Sequence, residues 1–214
     1  SNSTAGRQPL WSGRPSRDTR ASPCDMSAES GALLRLSVFA GVFVLLAAAE
    51  GAWPRRALSF ARLRRWVTNL GLSALNTAML RVSFFAVPAL SVIAAAFAET
   101  RGWGLLPLFG ISGWAAAIAG FIVLDLAVYT QHVAFHLVPP FWRLHRVHHA
   151  DPDFDVSTGV RFHPIEIALS QAWKIAVVLA VGVPALAVVV FEIALNATSM
   201  FTHANIRLPA RVES

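Results

Sequence analysis

Seven histidines lie between positions 132 and 203, and five of them fall between 132 and 149. "QHVAFH" places His132 and His136 four residues apart, and "HRVHH" does the same for His145 and His149, with His148 at i+3. On a helix, residues three and four apart share a face, so each motif offers two or three imidazoles to one pocket. Imidazole suits zinc, iron, copper or nickel. Six or seven histidines exceed what one tetrahedral ion needs, which favours two ions. An isolated histidine at a membrane interface is ordinarily an anchor, and "HRVHH" with Arg143 and Arg146 also fits a headgroup-binding basic patch. The two motifs together favour a metal site.

Around them stand groups suited to support ligands. Asp125 is in phase with His132 and His136, where a carboxylate can accept the other ring N–H. "GVRFHPIE" supplies Arg161, His163 and Glu166, with Arg161 and Glu166 set to brace a cytoplasmic cap and Pro164 suited to a first helical turn. "FTHANIRLP" adds His203 and Asn205.

These residues must be held by membrane helices. Of 214 residues, 55% are hydrophobic and 14% charged, too few charges for a soluble domain of this length. The net charge of +6 is nearly all arginine, since Lys174 is the only lysine. Most arginines flank apolar runs, which points to membrane topology and away from nucleic acid. One cysteine, Cys24, excludes an intrachain disulfide framework and a cysteine-based cluster.

Apolar runs read as spans at Leu33–Trp53, Leu72–Ala98 and Ile111–Gln131. Arg81 interrupts the second, whose core contracts to Val82–Ala98 after an interfacial turn. The region from Ile165 to Met200 carries Gly182 and Pro184 at its middle, which break or kink a helix. Two antiparallel legs about Val183 would set Lys174 and Glu192 abreast. A single kinked span is the alternative, with His163 and His203 on opposite faces. The arginine-rich loop "PRRALSFARLRR" reads as cytoplasmic and purely topological. On the two-leg reading all seven histidines gather on that side. The expected fold is therefore all-α and integral to the membrane, with four to five transmembrane helices and a cytoplasmic histidine-rich cap. Residues 1–30 read as a disordered tail, 31–110 as N-terminal membrane helices and loops, and 111–214 as the metal-binding domain.

"QHVAFH", "HRVHH", "RFHPIE" and "HANIRLP", in this order between apolar spans, resemble the fatty acid hydroxylase/sterol desaturase superfamily of membrane di-iron enzymes. The resemblance covers roughly Asp125 to Pro209. It implies a cytoplasm-facing iron pair, with zinc a conceivable substitute, that uses O2 and two electrons from an external reductase or cytochrome. The implied reaction is hydroxylation or desaturation of a lipid, sterol or carotenoid drawn from the bilayer, in a bacterial inner membrane. By motif, His132, His136, His145, His148, His149 and His203 correspond to ligands, and His163 to a recurrent family position. Asp125 and Asn205 would orient ligands. The family's last HxxHH cluster has no counterpart before Ser214, so the domain is expected to be C-terminally truncated. A catalytically silent homologue and a membrane zinc-binding protein are the rival readings.

Overall fold

The computed structural model describes residues 23–82 and 90–209. Eight helices occupy them: α1 (Pro23–Ala52), α2 (Arg62–Val82), α3 (Leu90–Arg101), α4 (Leu105–Leu108), α5 (Gly113–Leu137), α6 (Pro139–His149), α7 (Pro164–Val181) and α8 (Ala185–His203). A 3₁₀ turn, Val156–Val160, lies between α6 and α7. No β-strand occurs among the described residues, and Pro54 and Ile206 form one isolated antiparallel bridge.

The protein is an all-α integral membrane protein. Leu33–Ala52, α5, α7 and α8 are each long and apolar enough to span a bilayer. Their outward faces are apolar: Leu45 is 71% exposed, Trp114 77% and Leu126 58%. Such a surface, tolerable only against lipid, surrounds a small core of Ala95, Leu124, Val178, Val183, Ala187, Val188 and Phe191.

Proline and glycine set the corners. Pro139 cannot continue α5 and drives Val138 to an extended conformation (φ −94°, ψ 115°), so the chain turns and restarts as α6. Gly182 ends α7 in the left-handed region at φ 75°, and Pro184 caps α8. The two-leg reading of residues 165–200 therefore holds, and Lys174 Nζ lies 2.6 Å from Glu192 Oε1. Arg35 of α1 adds a second cation at 3.2 Å from Glu192 Oε2. A Cβ on Gly182 would stand 2.4 Å from the Trp103 carbonyl oxygen, and one on Gly104 would stand 2.3 Å from Gly182 N. Only glycine at both places lets the loop before α4 seat against this turn.

Two expectations change. Residues 23–30 belong to α1 rather than to a disordered tail; residues 1–22 lie outside the described residues. The run Leu72–Ala98 is not one span. Its first part belongs to α2, its last part to the 12-residue α3, and residues 83–89 and the Arg81 side chain lie outside the described residues. The polar positions Arg65, Asn69 and Asn76 are all buried in the cap, which holds α2 there. Asn76 Nδ2, for example, donates to the Phe162 carbonyl at 2.7 Å.

Candidate metal centre

The end of α5, all of α6, the start of α7 and the end of α8 meet at one end of the bundle. Six imidazoles form a continuous cluster there. Ring centroids lie 4.7 Å apart for His132 and His136, 4.8 Å for His132 and His145, 4.9 Å for His136 and His149, and 4.7 Å for His148 and His203. The ligand atoms of His132, His136 and His145 all fall within 4.8 Å of one another.

The nitrogens are paired tip to tip. Nε2 to Nε2 is 3.2 Å for His132 and His136, 3.2 Å for His145 and His149, and 2.9 Å for His148 and His203. Two nitrogens each about 2.1 Å from a shared ion, at angles of about 90–109°, stand about 3.0–3.4 Å apart.

The opposite ring nitrogens explain why these tips are bare. His148 Nδ1 donates to the Arg161 carbonyl at 3.1 Å, and His203 Nδ1 to the Ser199 carbonyl at 2.7 Å. A carbonyl only accepts, so both Nδ1 atoms carry the proton and, in the neutral rings, both Nε2 atoms present lone pairs. Lone pairs facing each other at 2.9 Å repel unless a cation lies between them. His145 Nδ1 lies 2.6 Å from Glu166 Oε1, a buried carboxylate that fixes the orientation of the ring. Burial, and then the neighbouring His203, pushes His148 down to about 3, and burial with His145 lowers His149 as well. Neutral imidazole is the form a metal requires. On these observations the donor set fits metal binding.

Stacking holds the rings in place. Phe162 lies parallel to His148, with centroids 4.8 Å apart and planes within 2°. Trp142 packs over His136 and His149 at 5.4 and 5.5 Å.

Beneath α6 lies a polar cluster that sequence reasoning missed. Arg65 grips Asp151 with two parallel bonds of 2.8 Å and reaches Asp155 at 2.6 Å, all three side chains buried. Asn69 donates to Asp151 and Ser157 and accepts from Arg161 at 2.9 Å. Arg161 also donates to the Val147 carbonyl at 2.7 Å. A chain of bonds thus runs from α2 through Asn69 and Arg161 to His148. Burial alone would raise Asp151, yet hydrogen bonds from Arg65, Asn69 and Thr158 bring it down to about 2. Gly159 lets the 3₁₀ turn lie against α8, where a Cβ would meet the Ser199 carbonyl oxygen at 2.8 Å.

Other expected site residues lie elsewhere. His163 caps α7, accepting from Ile165 N at 3.1 Å, and has no contact with the six-ring cluster. Asp125, expected to support His132 and His136, makes no hydrogen bond to a histidine among the described residues; it faces an open groove on α5, and the carboxylate that reaches a ring is Glu166, at His145. Asn205 makes no hydrogen bond to a histidine among the described residues. Its amide binds the backbone of Arg56 in both directions, at 3.0 and 2.9 Å, while its own N–H donates to Glu50. Arg65 is not merely topological, and Arg62 pairs with Glu50. The signal for α2 was present: Arg65, Asn69 and Asn76 are spaced i, i+4, i+11, one polar face of a helix.

Residues 117–213, from the first third of α5 onward, match the fatty acid hydroxylase family model, consistent with the fatty acid hydroxylase/sterol desaturase superfamily. Among curated proteins and solved structures no match to the chain is found.

Proposed function

We propose that the chain is a membrane-bound non-heme di-iron oxygenase that hydroxylates or desaturates a lipid, sterol or carotenoid with O2. The single observation that carries this reading is the set of three Nε2 pairs at 2.9–3.2 Å in a segment matching the family. His132, His136, His145, His148, His149 and His203 would hold the metal. When bound, an iron pair supplies O2 activation and oxidising power against an unactivated C–H bond.

The chain's own residues supply the rest. Glu166 and the carbonyls of Arg161 and Ser199 hold protons at three Nδ1 atoms, which keeps the corresponding Nε2 atoms free to bind. Phe162 and Trp142 exclude water from the ring faces. The apolar exterior admits substrate sideways from lipid. Electrons come from an external reductase or cytochrome. The arginine-rich connection from Arg55 to Arg65 lies at the histidine end, tied there by Arg65 and by Ser59 and Phe60 on Asp153. By the excess of positive charge, that end faces the cytoplasm, and the bacterial inner membrane is the proposed location.

A transporter would place its ligands near the bilayer midplane. Here His132 and His136 lie in the last two turns of α5, which argues against transport. The test is metal content of detergent-purified protein from iron-replete cells, beside a His148→Ala/His149→Ala variant. About two irons per chain, lost in the variant, supports the reading. Zinc alone, or no metal in folded protein, would favour a zinc-binding or catalytically silent homologue.

A further inference from the structure

Asp125 is the thirteenth of the 25 residues of α5, the middle of a span. Neither it nor Tyr129, one turn on, has a hydrogen-bond partner among the described residues, and both side chains are exposed. Both line an open groove of about 580 Å³ with Ile122, Leu126, Leu195 and His132. A carboxylate at that depth without a protein partner is costly, and it marks a binding site by default.

We propose that Asp125 and Tyr129 form a specificity-determining subsite that holds the hydroxyl of a lipid alcohol in this groove. Spacing of four sets the two groups on one face. An alcohol has one donor and two acceptor lone pairs, so it can donate to the Asp125 carboxylate while accepting from the Tyr129 O–H. An alkane leaves both groups unpaired. A fatty acid sets a second carboxylate against the first. An ammonium offers Tyr129 no acceptor. Asp125 and Tyr129 are seven and three residues from His132, so a hydroxyl held between them would sit about 5–10 Å along the helix from that ring. That makes the alcohol a ruler: the carbon delivered to the cluster lies at a fixed distance from the hydroxyl. This inference rests on the oxygenase reading only for the chemistry at the far end, and binding alone tests it.

The experiment is photolabelling of the full chain in nanodiscs with a diazirine-bearing hexadecanol, competed by hexadecanol, hexadecane or hexadecanoic acid, with labelled residues mapped by mass spectrometry. Labelling is expected on α5 and α8 about the groove, with hexadecanol competing about tenfold better than the other two. Asp125→Leu should abolish that preference, Tyr129→Phe should reduce it, and both variants should keep wild-type metal content. Equal competition by the three compounds, label outside the groove, or an undiminished preference in Asp125→Leu would overturn the proposal. So would loss of metal from folded Asp125→Leu, since Asp125 would then support the metal end. Selective labelling of a wild-type protein that takes up no iron would uphold the subsite while sinking the oxygenase reading.

Discussion

His148 and His203, 55 residues apart in sequence, point their Nε2 atoms at each other across 2.9 Å while each Nδ1 donates to a backbone carbonyl. Metal removal should therefore leave a repulsive contact between α6 and α8. At a free metal concentration of 100 times Kd, binding contributes about 2.7 kcal/mol. A chelator should lower the Tm of the wild type and move that of His203→Ala much less, as followed by calorimetry in detergent.

Replacing Glu166 should weaken metal binding without unfolding the bundle. Its Oε1 lies 2.6 Å from His145 Nδ1. Removing such a support ordinarily costs about 10–100-fold in metal affinity. Glu166→Ala should show that loss in a competition titration with a chromogenic chelator. Glu166→Gln should fall between, because its amide oxygen can still accept. An unchanged affinity in Glu166→Ala would refute the assignment.

Arg65 should matter for stability far more than a loop arginine does. Its side chain is only 5% exposed and answers two buried carboxylates. Breaking a buried pair by deleting one partner costs about 3–5 kcal/mol. Arg65→Met should lower the thermal midpoint by many degrees, whereas Arg64→Met, at an exposed position, should have little effect. Arg65→Lys should rescue only in part, since an ammonium cannot make the two parallel bonds to Asp151.

Acid should destabilise the metal-free protein earlier than its carboxylates alone would require. His148 takes a proton near 6.5 when unfolded and near 3 when folded, because burial and then His203 oppose its charge. Between those values the unfolded state binds more protons, so stability is complete above about pH 6.5 and falls as pH drops toward 3. Asp151, held down to about 2, has the same sign in a lower window, below its ordinary 3.8. Chemical denaturation at a series of pH values should show both limbs, and His148→Gln should flatten the upper one alone.

The sequence carried the candidate ligands more clearly than their supports. Ligand motifs are local, so "QHVAFH" and "HRVHH" could be read as helix faces without knowing the fold. Gly182 and Pro184 likewise announced the turn that sets Lys174 beside Glu192. Supports come from elsewhere in the chain. Asp125 shares the face of His132 on one helix, which made it the natural partner by spacing. Glu166, on another helix, reaches a different ring, His145, because Pro139 folds α6 back toward the start of α7. Arg65 could not be told from Arg62 or Arg64 by type or spacing from apolar runs. What separates it is its register with Asn69 and Asn76 on one face of α2 and the packing of that helix against the 3₁₀ turn and α7. His163 entered the expected site by its match to a recurrent family position; a histidine before Pro164 serves a cap equally well, and its ring accepts from Ile165 N.

Glu50 has a consequence for the order of synthesis. Its Oε1 accepts from Val156 N at 2.7 Å and Asn205 N at 2.8 Å, joining α1 to segments that follow it by 106 and 155 residues. During synthesis this carboxylate, at the end of α1, must therefore wait through the insertion of α5, α7 and α8 before Asn205 exists. His203, the closing member of the third imidazole pair, arrives in the same late segment. On the proposed metal-binding reading, complete loading thus requires α8, and a nascent protein arrested before α8 should hold at most the ions that His132, His136, His145 and His149 can bind.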